Sequence, residues 1–362
     1  MEKGPKYERL KQMIRQNIQD GIWKPESKLP PENELCESFE VSKITVKKAK
    51  DELLTEGVLE TIPGRKGVFI RKLQGISAGS LIGVVIDDVN VVPFTGIFKG
   101  IEDKLWENKL HSILGNVYFD PEKAESYLQS LLQNNIAGVI TVPMICEGYQ
   151  ENNRRVLNLL KEKNIPSVLV DRYLPNFDIP SVVSNNRQAS KEMAERLFAR
   201  GHRRILAVSG LPCSSMDERV QGYIDAFEEA GIERDPNLLI RSNEKLFTLS
   251  SAHQNNELAR IKSLIQKAGD FTACYFMNAP LQTTVRVIFP NGRDGHQQVE
   301  FAAYDEITEP LRSLTNRALI VVQPGYKVGW EAAKLLIQEI REPHQGIVQM
   351  TIKSEIIEKV LD

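Results

Sequence analysis

The chain has 362 residues, of which 41% are hydrophobic and 26% charged, a size and balance suited to two globular domains. No apolar run reaches membrane-span length, and the polar N-terminus has no apolar signal region. Cys36, Cys146, Cys213 and Cys274 lie far apart with no C-x-x-C pair, so a disulfide framework is not expected and a reducing cytoplasm is the expected location. The net charge of −2 conceals an asymmetry. Residues 1–72 carry 15 Lys and Arg against 12 Asp and Glu, an excess of +3, while the remainder is acidic by −5. The basic part is the one expected to meet phosphate.

The first predicted helix is amphipathic, with Tyr7, Leu10, Ile14 and Ile18 on one stripe. A short helix over 32–39 and a turn at Glu40-Val41 follow. A second helix then begins after Ser42, whose hydroxyl can cap it. Val46, Ala49 and Leu53 recur at helical spacing and are expected to face inward, leaving Lys43, Lys47 and Lys48 on other faces. Two helices joined by a tight turn, the second opening on small polar and basic residues, form a helix-turn-helix pattern. Its second helix has the width of a major groove. Short β-type runs at 58–62 and 68–70 flank the turn Pro63-Gly64-Arg65-Lys66-Gly67, whose two cations can approach a phosphate backbone or a minor groove.

This segment resembles the winged helix-turn-helix of the gluconate-repressor (GntR) family. The matching residues are Tyr7, Leu29-Pro30-x-Glu32-x-Glu34-Leu35, Val41-Ser42-x-x-Thr45-Val46, Ala49, Leu53, Glu56-Gly57 and Gly64 to Phe69. The resemblance implies that Ser42, Lys43, Thr45 and Lys47 face DNA, with Gly67 and its neighbours in the wing. With the cations read from position, the expected DNA-binding set is Ser42, Lys43, Thr45, Lys47, Lys48, Arg65, Lys66 and Gly67. Lys43 and Lys47 stand where the family often has arginine, and Asn33 does likewise, so no operator sequence transfers.

The small polar stretch 73–80 reads as a linker between a head at 1–72 and a second domain at 81–362. There, strand candidates at 81–87, 111–119, 138–142, 167–171, 204–209, 272–277, 299–304 and 318–322 alternate with helices at 96–109, 121–134, 150–163, 187–200, 217–230, 252–268 and 326–341. Repeated β-α units imply parallel sheets covered by helices, with ligands at the strand ends. So many strands predict two Rossmann-like lobes facing across a cleft. The expected fold is therefore α/β: an N-terminal winged helix-turn-helix plus a two-lobed Rossmann-like domain. The polar segment Pro290 to Gln298 reads as a surface loop.

The second domain resembles periplasmic sugar-binding proteins and the ligand-binding part of the lactose/galactose-repressor (LacI) family. The residues that carry this are Gly100-Ile101-Glu102, Val170-Asp171-Arg172, Asn185-Asn186, Gly201-His202-Arg203-Arg204-Ile205, Arg219-x-x-Gly222-Tyr223, Tyr304-Asp305 and Gln323-Pro324. A head like one family and a body like the other is the combination of the arabinose-repressor branch of GntR regulators.

A sugar offers clustered hydroxyls and an apolar C–H face, so its site wants bidentate polar groups and an aromatic platform. Asp171, Arg172, Asn278, Asp305 and Gln323 stand at strand ends, and Arg219 at a helix start. The resemblance implies that these six point into the cleft. Phe94, placed in the loop after the first strand, is expected to stack on the sugar face. Each polar residue has a structural alternative, as a helix cap or an interlobe ion pair.

The expected function is a sugar-responsive regulator, a repressor binding duplex operator DNA as a homodimer, with a pentose or deoxyhexose as effector. Three rivals stand beside it. An enzyme lacks support from any G-x-S-x-G, Walker loop, G-x-G-x-x-G or metal-ligand spacing among the five histidines, so no cofactor or metal is expected. A transport binding protein leaves the basic head unexplained. A purine or nucleoside regulator wants two aromatic faces where the sequence offers one obvious candidate.

Overall fold

The structure is a computed structural model. It describes all residues except 1–4, 20–21, 25, 56–57, 63, 71–78, 135, 147, 243–250, 291–298, 343–347 and 361–362. The predicted linker residues 73–78, the Glu56-Gly57 pair, Pro63 and the loop 291–298 therefore lie outside the described residues. The chain forms two compact units, Met1–Ile76 and Ser77–Asp362.

In the first unit, α1 (Lys6–Gln19), α2 (Glu32–Ser38) and α3 (Lys43–Thr55) precede a two-stranded antiparallel ribbon, β1 (Leu59–Glu60) and β2 (Phe69–Ile70). Leu10 and Ile14 of α1 meet Leu35 of α2 and Val46, Ala49 and Leu53 of α3 in one core, which Leu59 and Ile70 close from the ribbon side. Each fully buried Leu, Ile or Val contributes about 1.5–3 kcal/mol, so this stripe outweighs any single surface pair. Glu40 takes φ +50° in the turn between α2 and α3. The ribbon is steadied by a third segment, in which Leu29 N–H donates to Val68 C=O (2.9 Å) and Ile70 N–H to Ser27 C=O (2.9 Å).

The second unit holds two six-stranded sheets. The first lobe contains β3 (Leu81–Ile86), α4 (Phe94–Glu107), β4 (His111–Asn116), α5 (Pro121–Gln133), β5 (Ile136–Thr141), α6 (Tyr149–Glu162), β6 (Ser167–Val170) and β7 (Ser181–Ser184). The second contains α7 (Asn186–Ala199), β8 (Ile205–Ser209), α8 (Ser214–Glu229), β9 (Leu239–Arg241), α9 (Ser251–Ala268), β10 (Ala273–Phe276), α10 (Val285–Ile288), β11 (Glu300–Tyr304), α11 (Glu309–Arg312) and β12 (Arg317–Val322). The chain then returns to the first lobe with α12 (Gly325–Arg341) and β13 (Gln349–Ile352), and ends in the second with β14 (Glu355–Val360).

The sheet orders are β4-β3-β5-β6-β7-β13 and β9-β8-β10-β11-β12-β14, so the two lobes repeat one plan. All pairs are parallel except β12 with β14. In each sheet the order reverses beside the lobe's first strand, and a crevice opens there at the strand ends. The lobes are joined where β7 passes to α7, β12 to α12 and β13 to β14. Asn185 ties two of these crossings, since its Oδ1 accepts from Ser354 N–H (2.7 Å) and its own N–H donates to Ile352 C=O.

Four strands, β7, β9, β13 and β14, were absent from the expected set, and α8 begins three residues earlier than expected. Two of these, β13 and β14, are sheet edges bonded on one side, and β9 is another. Edge strands need no long apolar run. Close helix packing within each lobe rests on glycine. A Cβ on Gly222 of α8 would lie 1.9 Å from Arg187 C=O of α7, and one on Gly329 of α12 1.9 Å from Ile97 C=O of α4.

Candidate DNA-facing helix and effector cleft

Within the head, Ser42 caps α3 as its position suggests. Thr45 N–H donates to Ser42 Oγ (3.3 Å), and the Ser42 and Thr45 hydroxyls lie 2.9 Å apart. Lys43, Lys47 and Lys48 are exposed, as are Arg65, Lys66 and Gly67 in the ribbon turn. Gly64 and Gly67 adopt φ +82° and +122° there, backbone that glycine reaches without a Cβ clash. The lysines differ in their engagement. The Lys48 ammonium sits 3.8 Å over the Tyr7 ring of α1. Lys50 pairs with Glu32 of α2, and with Lys47 and Lys43 nearby it holds the Glu32 carboxyl below its usual value. Lys43 and Lys47 keep exposed side chains at the start of α3.

In the second unit, all seven expected effector residues line one cavity between the lobes, with about 760 Å³ of empty space including its open mouth. Asp171 and Arg172 reach it from the end of β6, and Asp305 from the end of β11. Arg219 comes from α8, Asn278 from the end of β10 and Gln323 from the crossing after β12. Phe94 is the first residue of α4 rather than part of a loop, because the helix starts immediately after Pro93. It is buried, and it meets Phe119 edge-on with centroids 6.3 Å apart and planes at 65°.

The polar groups are bound to one another as well as facing the cavity. The Arg172 guanidinium donates through Nη1 to Asp87 Oδ2 (2.6 Å) and Pro143 C=O (2.9 Å), and its Nε lies 3.3 Å from Asp171 Oδ2. Burial opposes this charge, but Asp87 and Asp171 hold the group firmly protonated. Among the described residues, Arg219 takes no carboxylate partner at hydrogen-bond distance. Its Nε donates to Asn186 Oδ1 (2.8 Å), its Nη1 to Met277 C=O (2.6 Å), and its plane lies 3.8 Å from the Tyr304 ring centroid. Gln323 Nε2 donates to Asp305 Oδ1 (2.8 Å). Asn278 uses its Oδ1 as a cap, accepting from Leu281 N–H (3.2 Å).

Burial pushes the Asp305 carboxyl up to about 7, against the pull of Arg219 and the Gln323 bond and helped by the charge of Asp171. Asp171 and Asp305 both adopt left-handed backbone, φ +64° and +71°, immediately after their strands. Arg172 Nε and Gln323 Oε1 are buried with no hydrogen-bond partner among the described residues. Arg172 Nε keeps its ion pair with Asp171, whereas Gln323 Oε1 is left with an acceptor lone pair that a hydroxylated ligand can complete.

Sequence reasoning missed five contributors. Asp87 ends β3 and carried the same strand-end signal as Asp171. Asn186 lies in the Asn185-Asn186 pair but received no role. Phe119, just after β4, is the second ring. The interlobe contacts of two tyrosines had no local signal. Tyr173 donates from its N–H to Ser214 Oγ (2.8 Å) and from its hydroxyl to Glu218 Oε1 (2.9 Å), and Tyr149 Oη lies 3.5 Å from Asp217 Oδ2. Burial raises both the Glu218 and Asp217 carboxyls above their ordinary values. These contacts bridge the lobes at the first turn of α8.

Comparison with known proteins finds two family models. The bacterial regulatory proteins of the gntR family match residues 6–70, and the periplasmic binding proteins and sugar-binding domain of the LacI family match residues 80–359. The arabinose metabolism transcriptional repressor of Geobacillus stearothermophilus is 25% identical over 93% of this chain and 92% of its own length. The HTH-type transcriptional repressor PurR of Vibrio atlanticus is 24% identical over 77% of this chain and 80% of its own. The transcriptional regulator CelR in its cellobiose complex has the same fold, with a TM-score of 0.64 at 20% identity, over 89% of this chain and 92% of that one.

Proposed function

The chain belongs to the family of periplasmic binding proteins and LacI-type sugar-binding domains, joined to a gntR-family head, and from that membership we propose a sugar-responsive transcriptional repressor. The head binds operator DNA through α3, with Ser42, Lys43, Thr45 and Lys47 toward the major groove and Arg65, Lys66 and Gly67 on the backbone beside it. Lys48, over Tyr7, supports this surface by its charge. A head with an excess of only +3 needs two copies on paired half-sites, so the working form is a homodimer.

The effector is a monosaccharide, a pentose or deoxyhexose first. It sits between the lobes with its apolar face on Phe94. Asp171 and Asp305 accept from its hydroxyls, and Arg172, Arg219, Asn278 and Gln323 complete its oxygens. One observation carries this reading: residues from both lobes converge on one cavity lined by Gln323, whose buried Oε1 has no hydrogen-bond partner among the described residues. A purine ranks below a sugar, because the two rings lining the cavity meet at 65° and offer no parallel slot for a flat base. No cleft residue is assigned a catalytic role. Lobe closure on the sugar shifts the population of the DNA-binding form, to the extent that the sugar prefers one form.

The test is a thermal-shift screen of purified protein against pentoses, deoxyhexoses, hexoses, purines and nucleosides, followed by DNA binding with and without each hit. A sugar that raises the melting temperature and changes DNA affinity is the expected result. A response to purines alone, or a sugar that binds without altering DNA affinity, removes the proposal.

A further inference from the structure

Among the described residues of the head, the exposed large hydrophobic side chains are Met13, Ile22 and Ile44, and only Ile44 belongs to α3. It is 82% exposed, the highest value among the exposed large hydrophobics of the described residues. Its direction follows from helix geometry. At 3.6 residues per turn, Ile44 lies about 200° around the axis from the fully buried Val46. It therefore stands on the outward crest of α3, with Lys47 and Lys48 one turn further along the same side. Thr45, its neighbour, is held by Ser42 through the hydroxyl contact at 2.9 Å.

The exposure has no benefit for the free protein. A β-branched side chain lowers helix propensity slightly, and an apolar group in water gains no burial. Polar or charged residues fill the neighbouring outward positions Lys43, Lys47, Lys48 and Asp51. Lysines act as point charges and discriminate poorly between bases. In the major groove, the one base feature that rewards an aliphatic group is the C5-methyl of thymine. An isoleucine at the N-terminal crest of the groove helix is placed where base edges are read.

Resting on the reading of α3 as the recognition helix, we infer that Ile44 is a specificity-determining residue that packs against a thymine methyl group in each operator half-site. Its neighbours Lys43 and Lys47 bring point charges to the same groove and leave apolar contact to this position.

The test uses the full chain and a duplex recovered by it from a random pool. Each thymine is replaced in turn by deoxyuridine, which removes the C5-methyl and keeps base pairing, and affinity is read by fluorescence anisotropy. The expected result is one thymine per half-site whose replacement weakens binding by about three- to five-fold, as loss of one buried methyl group does. The Ile44→Ala protein, which loses no buried contact and keeps a good helix former, is expected to bind the thymine duplex more weakly by a similar factor and to ignore the replacement. Uniform indifference of the wild-type protein to deoxyuridine overturns the inference, as does a sensitive position that stays sensitive in Ile44→Ala. Both outcomes leave the DNA-binding proposal intact. Failure to recover any duplex strikes that proposal first, and this inference with it.

Discussion

Asp305 concentrates the chemistry of the cleft in one side chain. Its carboxyl is pushed up to about 7 by burial, from an ordinary value of about 4. The folded protein thus holds a proton between about pH 4 and about pH 7 that the unfolded chain releases. Stability contributed by this group is therefore present at low pH and lost as pH rises through about 7. Effector binding has the opposite sign. Sugar hydroxyls donate to a carboxylate, so binding favours the ionised form and expels the proton. Calorimetry from about pH 6 to about pH 8 is expected to show effector affinity rising with pH, with proton release that depends on buffer ionisation. Asp305→Asn keeps the shape and tolerates the φ of +71°. It is expected to weaken effector binding by roughly 10- to 100-fold, the scale of one charge-assisted hydrogen bond, and to flatten the pH dependence. An Asn variant whose affinity matches the wild type at every pH assigns the effector to another site.

At the scale of elements, the cleft depends on how closely helices meet behind it. Arg219 on α8 and its acceptor Asn186 on α7 are aligned because Gly222 lets the two helices touch. Gly222→Ala puts a methyl 1.9 Å from a backbone oxygen, which no side-chain rotation relieves. The expected cost is about 1–3 kcal/mol, seen as a melting temperature lower by several degrees, with weaker effector binding because Arg219 shifts. Unchanged melting means that α7 and α8 sit further apart. The Tyr173 contact belongs at this scale too. Tyr173→Phe removes the bond to Glu218 across the lobes and is expected to lower effector affinity by about five-fold, since the closed form loses about 1 kcal/mol. Equal effector affinity in the two proteins would show that the clasp does not report on closure.

The same elements explain what could be read from the chain. The stripe Leu10, Ile14 and the spacing Val46, Ala49, Leu53 gave helix and inward face together, because a helix with one buried face writes its period into the sequence. Strand-end polar residues gave the cleft, because parallel sheets present their C-terminal ends to one rim. The edge strand β14, whose residues Glu355, Glu358, Lys359 and Val360 are exposed, carries no comparable apolar run and was lost. Hydrogen-bond partners were also hidden: Asn186 and Arg219 meet across 33 positions, and Tyr173 and Glu218 across 45. Such pairs depend on how two lobes are wound, which no local pattern records.

The whole molecule consists of two units with separate cores and separate chemistry. Lys47 is exposed on α3, and Glu32, whose carboxyl it helps to hold down, keeps its pair with Lys50 without it, so its removal changes charge and little else. Lys47→Ala is expected to weaken binding to all duplexes and to reduce the slope of log affinity against log salt by about 1 per head. Its effector affinity in the absence of DNA is expected to equal that of the wild type. Asp305→Asn is the mirror case, with DNA affinity retained without effector and the effector response lost at concentrations that saturate the wild type. Coupling between the units is reciprocal, so each variant alters the other ligand only through the shared conformational equilibrium. Anisotropy titrations of both variants over a salt series, with and without effector, separate the two losses. If Lys47→Ala abolishes effector binding in DNA-free protein, or Asp305→Asn abolishes DNA binding, the division of labour between a groove-binding head and a ligand-gripping body is wrong.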